Sequence, residues 1–169
     1  EELIKSLPVD FDKRSIDKLH TISVSLNAEE TASLLQKAPK AYRTQINDLL
    51  LTALTLAIGD WTKNYSFSLS LEGHGREEII SQVDLSRTVG WFTSIFPVNL
   101  TIENPKNLGE AIKEIKETLR KIPHKGIGYG IAKYLSTLDP FAKGICPSLS
   151  FNYLGQWDNT LSQKSVFGF

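Results

Sequence analysis

Apolar and polar positions follow one another along this chain in two rhythms, one of period two and one of period near 3.6. Ile22, Val24 and Leu26 alternate with Ser23 and Ser25, the period of a half-buried strand. Asn27 then offers an N-cap with Glu30 three positions on, and residues 31–37 read as a helix that ends before Pro39. Ile46, Leu49, Leu50, Ala53, Leu54 and Ala57 fall at helical spacing and predict a largely buried helix, with Gly59 as its stop. Tyr65, Phe67, Leu69 and Leu71 next occupy one parity, while Ser66, Ser68, Ser70 and Glu72 occupy the other. This strand therefore has one apolar and one polar face.

Residues 77–87 lose all period and predict an irregular excursion before a strand carrying Phe96, Val98, Leu100 and Ile102. Asn107 and Glu110 repeat the cap signature and open a helix whose core face is Leu108, Ala111, Ile112, Ile115, Leu119 and Ile122. Pro123 ends it. A glycine-rich stretch leads to a short helical pattern over 131–138, and Leu149, Phe151 and Tyr153 alternate as a last strand. Strands and helices interleave without repeat or linker, so the fold class expected is a single α/β (α+β) sandwich.

Composition narrows the partners more than the fold. The 169 residues suit one core-forming domain, and 41% hydrophobic with 22% charged residues is ordinary for a globular protein. Nineteen basic residues balance nineteen acidic ones, leaving no field that favours nucleic acid or an anionic membrane. No apolar run is long enough to span a bilayer. The chain begins Glu1-Glu2-Leu3-Ile4-Lys5, with no methionine and no signal-peptide pattern, and reads as an excised piece. Cys146 is the sole cysteine, which favours a reducing, cytoplasmic setting; beside Pro147 and ahead of an apolar run, it reads as a packing residue rather than a nucleophile.

Chemistry concentrates in four motifs. These are Leu71-Glu72-Gly73-His74-Gly75-Arg76-Glu77, Arg87-Thr88-Val89-Gly90-Trp91-Phe92-Thr93, Gly126-Ile127-Gly128-Tyr129-Gly130 and Phe151-Asn152-Tyr153-Leu154-Gly155. Glu72 lies in line with the three serines, and that row either walls a wet passage inside the protein or faces bulk solvent. His74 shares its parity if the strand stays regular, but Gly73 and Gly75 equally predict a bulge or turn. Arg76 and Glu77 read as a structural ion pair, with each other or with neighbours. Asn152 and Tyr153 point to opposite faces of a regular strand, and Tyr153 is either a core residue or a hydroxyl donor. The glycine-rich stretch matches a dinucleotide fingerprint poorly, and His20 and His124 have no partners at metal-ligand spacing.

In this order and at these separations the motifs closely resemble those of epimerization domains of nonribosomal peptide synthetases, within the condensation superfamily. The likeness extends to Ile46-Asn47-Asp48-Leu49-Leu50-Leu51 upstream and to Pro97-Val98, and so covers most of the chain. It implies a two-lobed fold like chloramphenicol acetyltransferase, of which residues 1–169 make a partial epimerization domain, the C-terminal lobe. It implies interconversion of L- and D-aminoacyl or peptidyl thioesters carried on the phosphopantetheine of a peptidyl carrier protein. No cofactor is implied for the reaction itself.

By the same resemblance Glu72 is the acid/base glutamate, and Asn152 and Tyr153 lie near the active-site channel. His74, Arg76, Arg87, Trp91 and Thr93 belong to the tunnel or its supports. The family's other signature, His-His-x-x-x-Asp-Gly, belongs to the N-terminal lobe, and none of the three histidines here adjoins another. The partners implied are that N-terminal lobe and neighbouring synthetase domains, and the isolated chain is expected to be silent. The competing expectations are a condensation domain that forms peptide bonds, whose usual signatures lack Glu-Gly-His-Gly-Arg-Glu, and a non-catalytic module that docks a carrier protein.

Overall fold

The computed structural model of this chain describes Leu7 and residues 20–77, 79, 81–136 and 147–155. Its centre is a three-stranded sheet in the order β2-β1-β3. Strand β1, Ser66–Gly73, pairs antiparallel with β2, Ser94–Thr101, in a register that sets Leu69 against Val98 and Glu72 against Ile95. Strand β3, Ser150–Phe151, runs parallel to β1 on its other side, with Ser70 against Ser150 and Leu71 against Phe151. The period-two pattern is realised in β1, where Phe67, Leu69 and Leu71 are all buried.

Helices α3, Ile46–Thr62, and α4, Leu108–Arg120, pack on one another and on that apolar face. Leu51, Leu69, Leu100 and Ile115 are wholly buried where they meet. At roughly 1.5–3 kcal/mol per buried aliphatic side chain, this layer is the main source of stability. The cap at the start of α4 forms as the sequence predicts, with Asn107 Oδ1 accepting from the Glu110 N–H at 3.2 Å. Leu108 does not join the core; it is 58% exposed, and the buried stripe begins at Ala111.

The stripe predicted for α3 is rotated in the structure. Leu49 is buried as predicted, but Ala53 and Ala57 are exposed, and the buried face runs on through Asp48, Leu51, Thr52, Thr55, Ile58 and Gly59. Two threonines can be buried because each hydroxyl donates to the carbonyl one turn back, Thr52 to Asp48 at 2.6 Å and Thr55 to Leu51 at 2.7 Å. Gly59 does not stop the helix either. It is buried inside it, because the Tyr65 ring lies where a Cβ would stand, 2.0 Å from its nearest carbon. The Tyr65 hydroxyl donates to Asp60 Oδ1 at 2.6 Å, and that bond, with burial and the carboxylate's charge, holds the phenol above its ordinary pKa. The helix ends instead at Lys63, which takes a left-handed conformation.

Upstream, α1, Ala28–Ala32, opens with the expected box: Asn27 Oδ1 accepts from the Glu30 N–H, and Glu30 Oε2 accepts from the Asn27 N–H, both at 2.9 Å. The helix does not break before Pro39. A π-helical turn over Ser33–Lys37 carries the chain into α2, Ala38–Tyr42, whose second residue is Pro39. The segment 22–26 is the clearest departure. It joins no strand among the described residues, and Ile22 and Val24 are 91% and 90% exposed.

After α4 the chain turns at Pro123–Gly126 and enters α5, Ile127–Tyr134, which packs on β2. All of the glycine-rich motif after Gly126 is therefore the first part of the helix; residues 137 and 138 of the predicted one, like Cys146, lie outside the described residues. Among the described residues no helix is long and apolar enough to cross a membrane.

Candidate functional site

Glu72 stands near the end of β1, on the polar face and directly across from Ile95. It is half-buried, and among the described residues no hydrogen bond or ion pair engages its carboxylate. It lines a cavity of about 400 Å³ at the end of the sheet. The walls come from distant parts of the sequence: Asn47 and Asp48 of α3, Leu119 and Arg120 of α4, Phe96 of β2, and Lys125 in the turn that follows α4. Asn47 Oδ1 is buried there with no hydrogen-bond partner among the described residues, an acceptor that water or a ligand N–H would satisfy. In the sequence Asn47 is marked only by its place in the upstream match.

The strand stops at Gly73, and the turn that follows decides what the motif's other side chains do. Gly75 has φ of +66°, and the Phe92 carbonyl oxygen lies 1.5 Å from where its Cβ would be, so only glycine lets the second motif come this close. His74 is carried outward to 61% side-chain exposure. Its Nδ1 accepts from the Arg76 N–H at 3.0 Å, and its Nε2 lies 3.1 Å from Glu77 Oε1. Arg76 and Glu77 do not pair with each other. Arg76 instead donates to the carbonyls of Leu85 at 2.6 Å and Gly90 at 3.4 Å, with its guanidinium 4.3 Å from the centre of the Phe92 ring. Arg76 is thus the clamp that fastens the 85–92 loop beneath the strand.

The remaining predicted residues divide. Thr93 lines a second cavity, of about 680 Å³, between the polar face of the sheet at Ser70, Ile95 and Pro97 and α5 at Ile127 and Ile131. There the Lys133 ammonium sits 5.7 Å from the Tyr129 ring and 5.4 Å from the Tyr134 ring, and the two phenols, Tyr129 first, raise its pKa above the ordinary lysine value. Arg87 and Trp91, which the resemblance assigned to the tunnel or its supports, lie on neither cavity wall, and Trp91 is 89% exposed. Asn152, exposed, and Tyr153, half-buried, fall just past β3, which is shorter than the alternation predicts. The β1–β3 register reaches Leu71 and Phe151, so the next position along each chain is Glu72 on one and Asn152 on the other. Phe96 bounds both cavities, and its ring presses on Gly126, whose φ of +83° and missing Cβ make room for it.

Over its whole length, residues 1–169, the sequence matches the condensation domain. The chain belongs to the condensation-domain family. Surfactin synthase subunit 1 of Bacillus subtilis (strain 168) is 50% identical over 166 residues, which cover 95% of this condensation-family chain and 5% of that protein. Bacitracin synthase 2 of Bacillus licheniformis is 50% identical over 144 residues, 85% of this chain and 6% of the relative. The crystal structure of the epimerization domain from the third module of tyrocidine synthetase B superposes with a TM-score of 0.82 at 44% identity, over 94% of this chain and 37% of that one. The chain thus spans a small fraction of its curated relatives and just over a third of that solved domain. Its mixed α/β architecture is that of the condensation-like fold, as the motifs implied, and its homologues are multidomain synthetases.

Proposed function

We propose that this chain is the glutamate-bearing part of a peptide synthetase epimerization domain, a cofactor-independent isomerase that inverts the α-carbon of an aminoacyl or peptidyl thioester on a carrier protein. The observation that carries the reading is Glu72: a half-buried carboxylate without a partner among the described residues, facing a cavity, in a motif whose solved relative is described as an epimerization domain. Inversion needs a base to take the α-proton and a return of hydrogen to the opposite face. A carboxylate positioned out of bulk water can do the first, a contribution typically worth ~10²–10⁴-fold. Asn152, one position past the paired segment of β3, would steady the enolate oxygen, and the Tyr153 hydroxyl would donate a hydrogen bond or proton. No sequence in the 169 residues matches the family's paired-histidine signature, so the complete domain is the proper assay sample.

The decisive experiment is solvent-deuterium exchange at the α-carbon of a carrier-bound aminoacyl thioester, with Glu72→Gln in the complete domain. Loss of exchange by at least about 10²-fold is expected; full exchange in the variant would remove Glu72 from the mechanism. The family match itself favours a second reading, a condensation domain that joins two thioesters into a peptide bond. Chirality analysis of the thioester product separates the two, since condensation leaves the α-carbon unchanged.

A further inference from the structure

One carboxylate ties the first motif to the turn just ahead of the third, in the wall of the Glu72 cavity. Glu77 is only 16% exposed, with Oε1 3.1 Å from His74 Nε2 and Oε2 3.1 Å from Lys125 Nζ. Because His74 Nδ1 accepts the Arg76 N–H, the neutral imidazole carries its proton on Nε2 and donates it to Glu77. Lys125 is 70% exposed at its side chain, so the more covered carboxylate is the fixed member and the lysine reaches to it. The backbone around Lys125 is itself unusual: His124, Lys125 and Gly126 all have positive φ, at 45°, 49° and 83°. The pair therefore also pins a turn that two of its residues adopt only reluctantly.

The charges facing this cavity, among the described residues, are few and can be followed one by one. From α3 comes Asp48, whose Oδ2 accepts the Gln45 N–H at 2.8 Å. From α4 comes Arg120, which donates to Glu117 Oε1 at 3.4 Å and to the Arg43 carbonyl at 3.0 Å. His74 and Glu77 follow β1, Lys125 follows α4, and β2 contributes the uncharged Phe96. Lys125 is the one cation of the rim whose charge is met by Glu77.

We propose that Glu77 is a positioning residue for Glu72: by neutralising Lys125 it keeps an uncompensated ammonium from facing the cavity and preserves Glu72 as a proton acceptor. This rests on Glu72 being the base. The physical reason is the sign of the charge. A bare ammonium in the same cavity favours the ionised carboxylate, so the carboxylate holds a proton less readily. Glu77→Gln keeps the shape and one acceptor oxygen but removes the charge, leaving Lys125 bare. Lys125→Met keeps length and leaves Glu77 as the uncompensated group, which acts in the opposite direction.

The test uses the complete domain with its carrier-bound thioester, and reads the pH profile of α-proton exchange together with the titration of the Glu72 carboxyl carbon by ¹³C NMR. For Glu77→Gln the acidic limb and the NMR midpoint are expected to move together to lower pH, with kcat reduced and KM little changed. For Lys125→Met both should move to higher pH, and the double variant should return them to the wild-type position. A Glu77→Gln profile and midpoint that stay in place, or a double variant as displaced as the single one, would overturn the proposal. If Glu72→Gln retains exchange, the base assignment fails on its own, while the NMR midpoints still report whether Glu77 shields Glu72 from Lys125.

Discussion

Two glycines that look alike in the motifs do opposite things. Gly75 is buried at positive φ with the Phe92 carbonyl occupying its Cβ position, whereas nothing lies within 4 Å of where a Cβ on Gly128 would point. An alanine at Gly75 forces strained backbone and pushes the 85–92 loop off the strand end. The expected loss for Gly75→Ala is about 2–3 kcal/mol, read as a lower denaturant midpoint. Gly128→Ala, in the first turn of α5, should instead stabilise by about 0.5–1 kcal/mol through helix propensity alone, read as a higher midpoint. Equal effects at the two sites would mean that the Phe92 carbonyl gives way freely. Sequence could not separate them, because a motif glycine records neither its φ nor what approaches it.

At the level of elements, what was legible was whatever neighbours in sequence decide. The Asn107–Glu110 cap, the Asn27–Glu30 box and the alternation of β1 all depend on residues a few positions apart, and all form. What was not legible depended on distant partners. The face α3 buries is set by its packing on α4 and β1, and Thr52 and Thr55 are admitted to it by backbone carbonyls that no polarity pattern counts. Pro39 fails to break its helix because a π-turn precedes it. The site divides in the same way. The polar parity of Glu72 could be read from alternation, but its cavity could not, since α3, α4 and the turn at Lys125 supply the walls. A structural ion pair for Glu77 is legible in the sequence, but its partners, His74 and Lys125 rather than Arg76, are not, because nothing in sequence announces that the turn at Gly75 sends the Arg76 and Glu77 side chains apart. The local part has a direct check: Asn107→Ala removes the acceptor for the Glu110 N–H and should lower stability by about 1 kcal/mol, with helix loss at the start of α4 visible as faster amide exchange there. Unchanged exchange at those amides would show the cap to be redundant.

For the molecule as a whole, two apolar patterns of similar strength meet different fates. Ile115 is wholly buried between α4 and the rest of the core, while Ile22, in an alternating segment as regular as β1, stands 91% exposed. Periodicity tells a segment which residues share a face; only the rest of the fold decides whether anything covers it. The sheet and the α3–α4 layer close over Ile115, and among the described residues none closes over 22–26. Ile115→Ala should therefore cost about 2–5 kcal/mol through lost burial and an unfilled cavity. Ile22→Ala in the same chain should stay within about 0.5 kcal/mol. Chemical denaturation of the two variants side by side measures the difference. A large loss at Ile22 would place that segment against a surface, and the core would then have to extend beyond the sheet and the two helices that now define it.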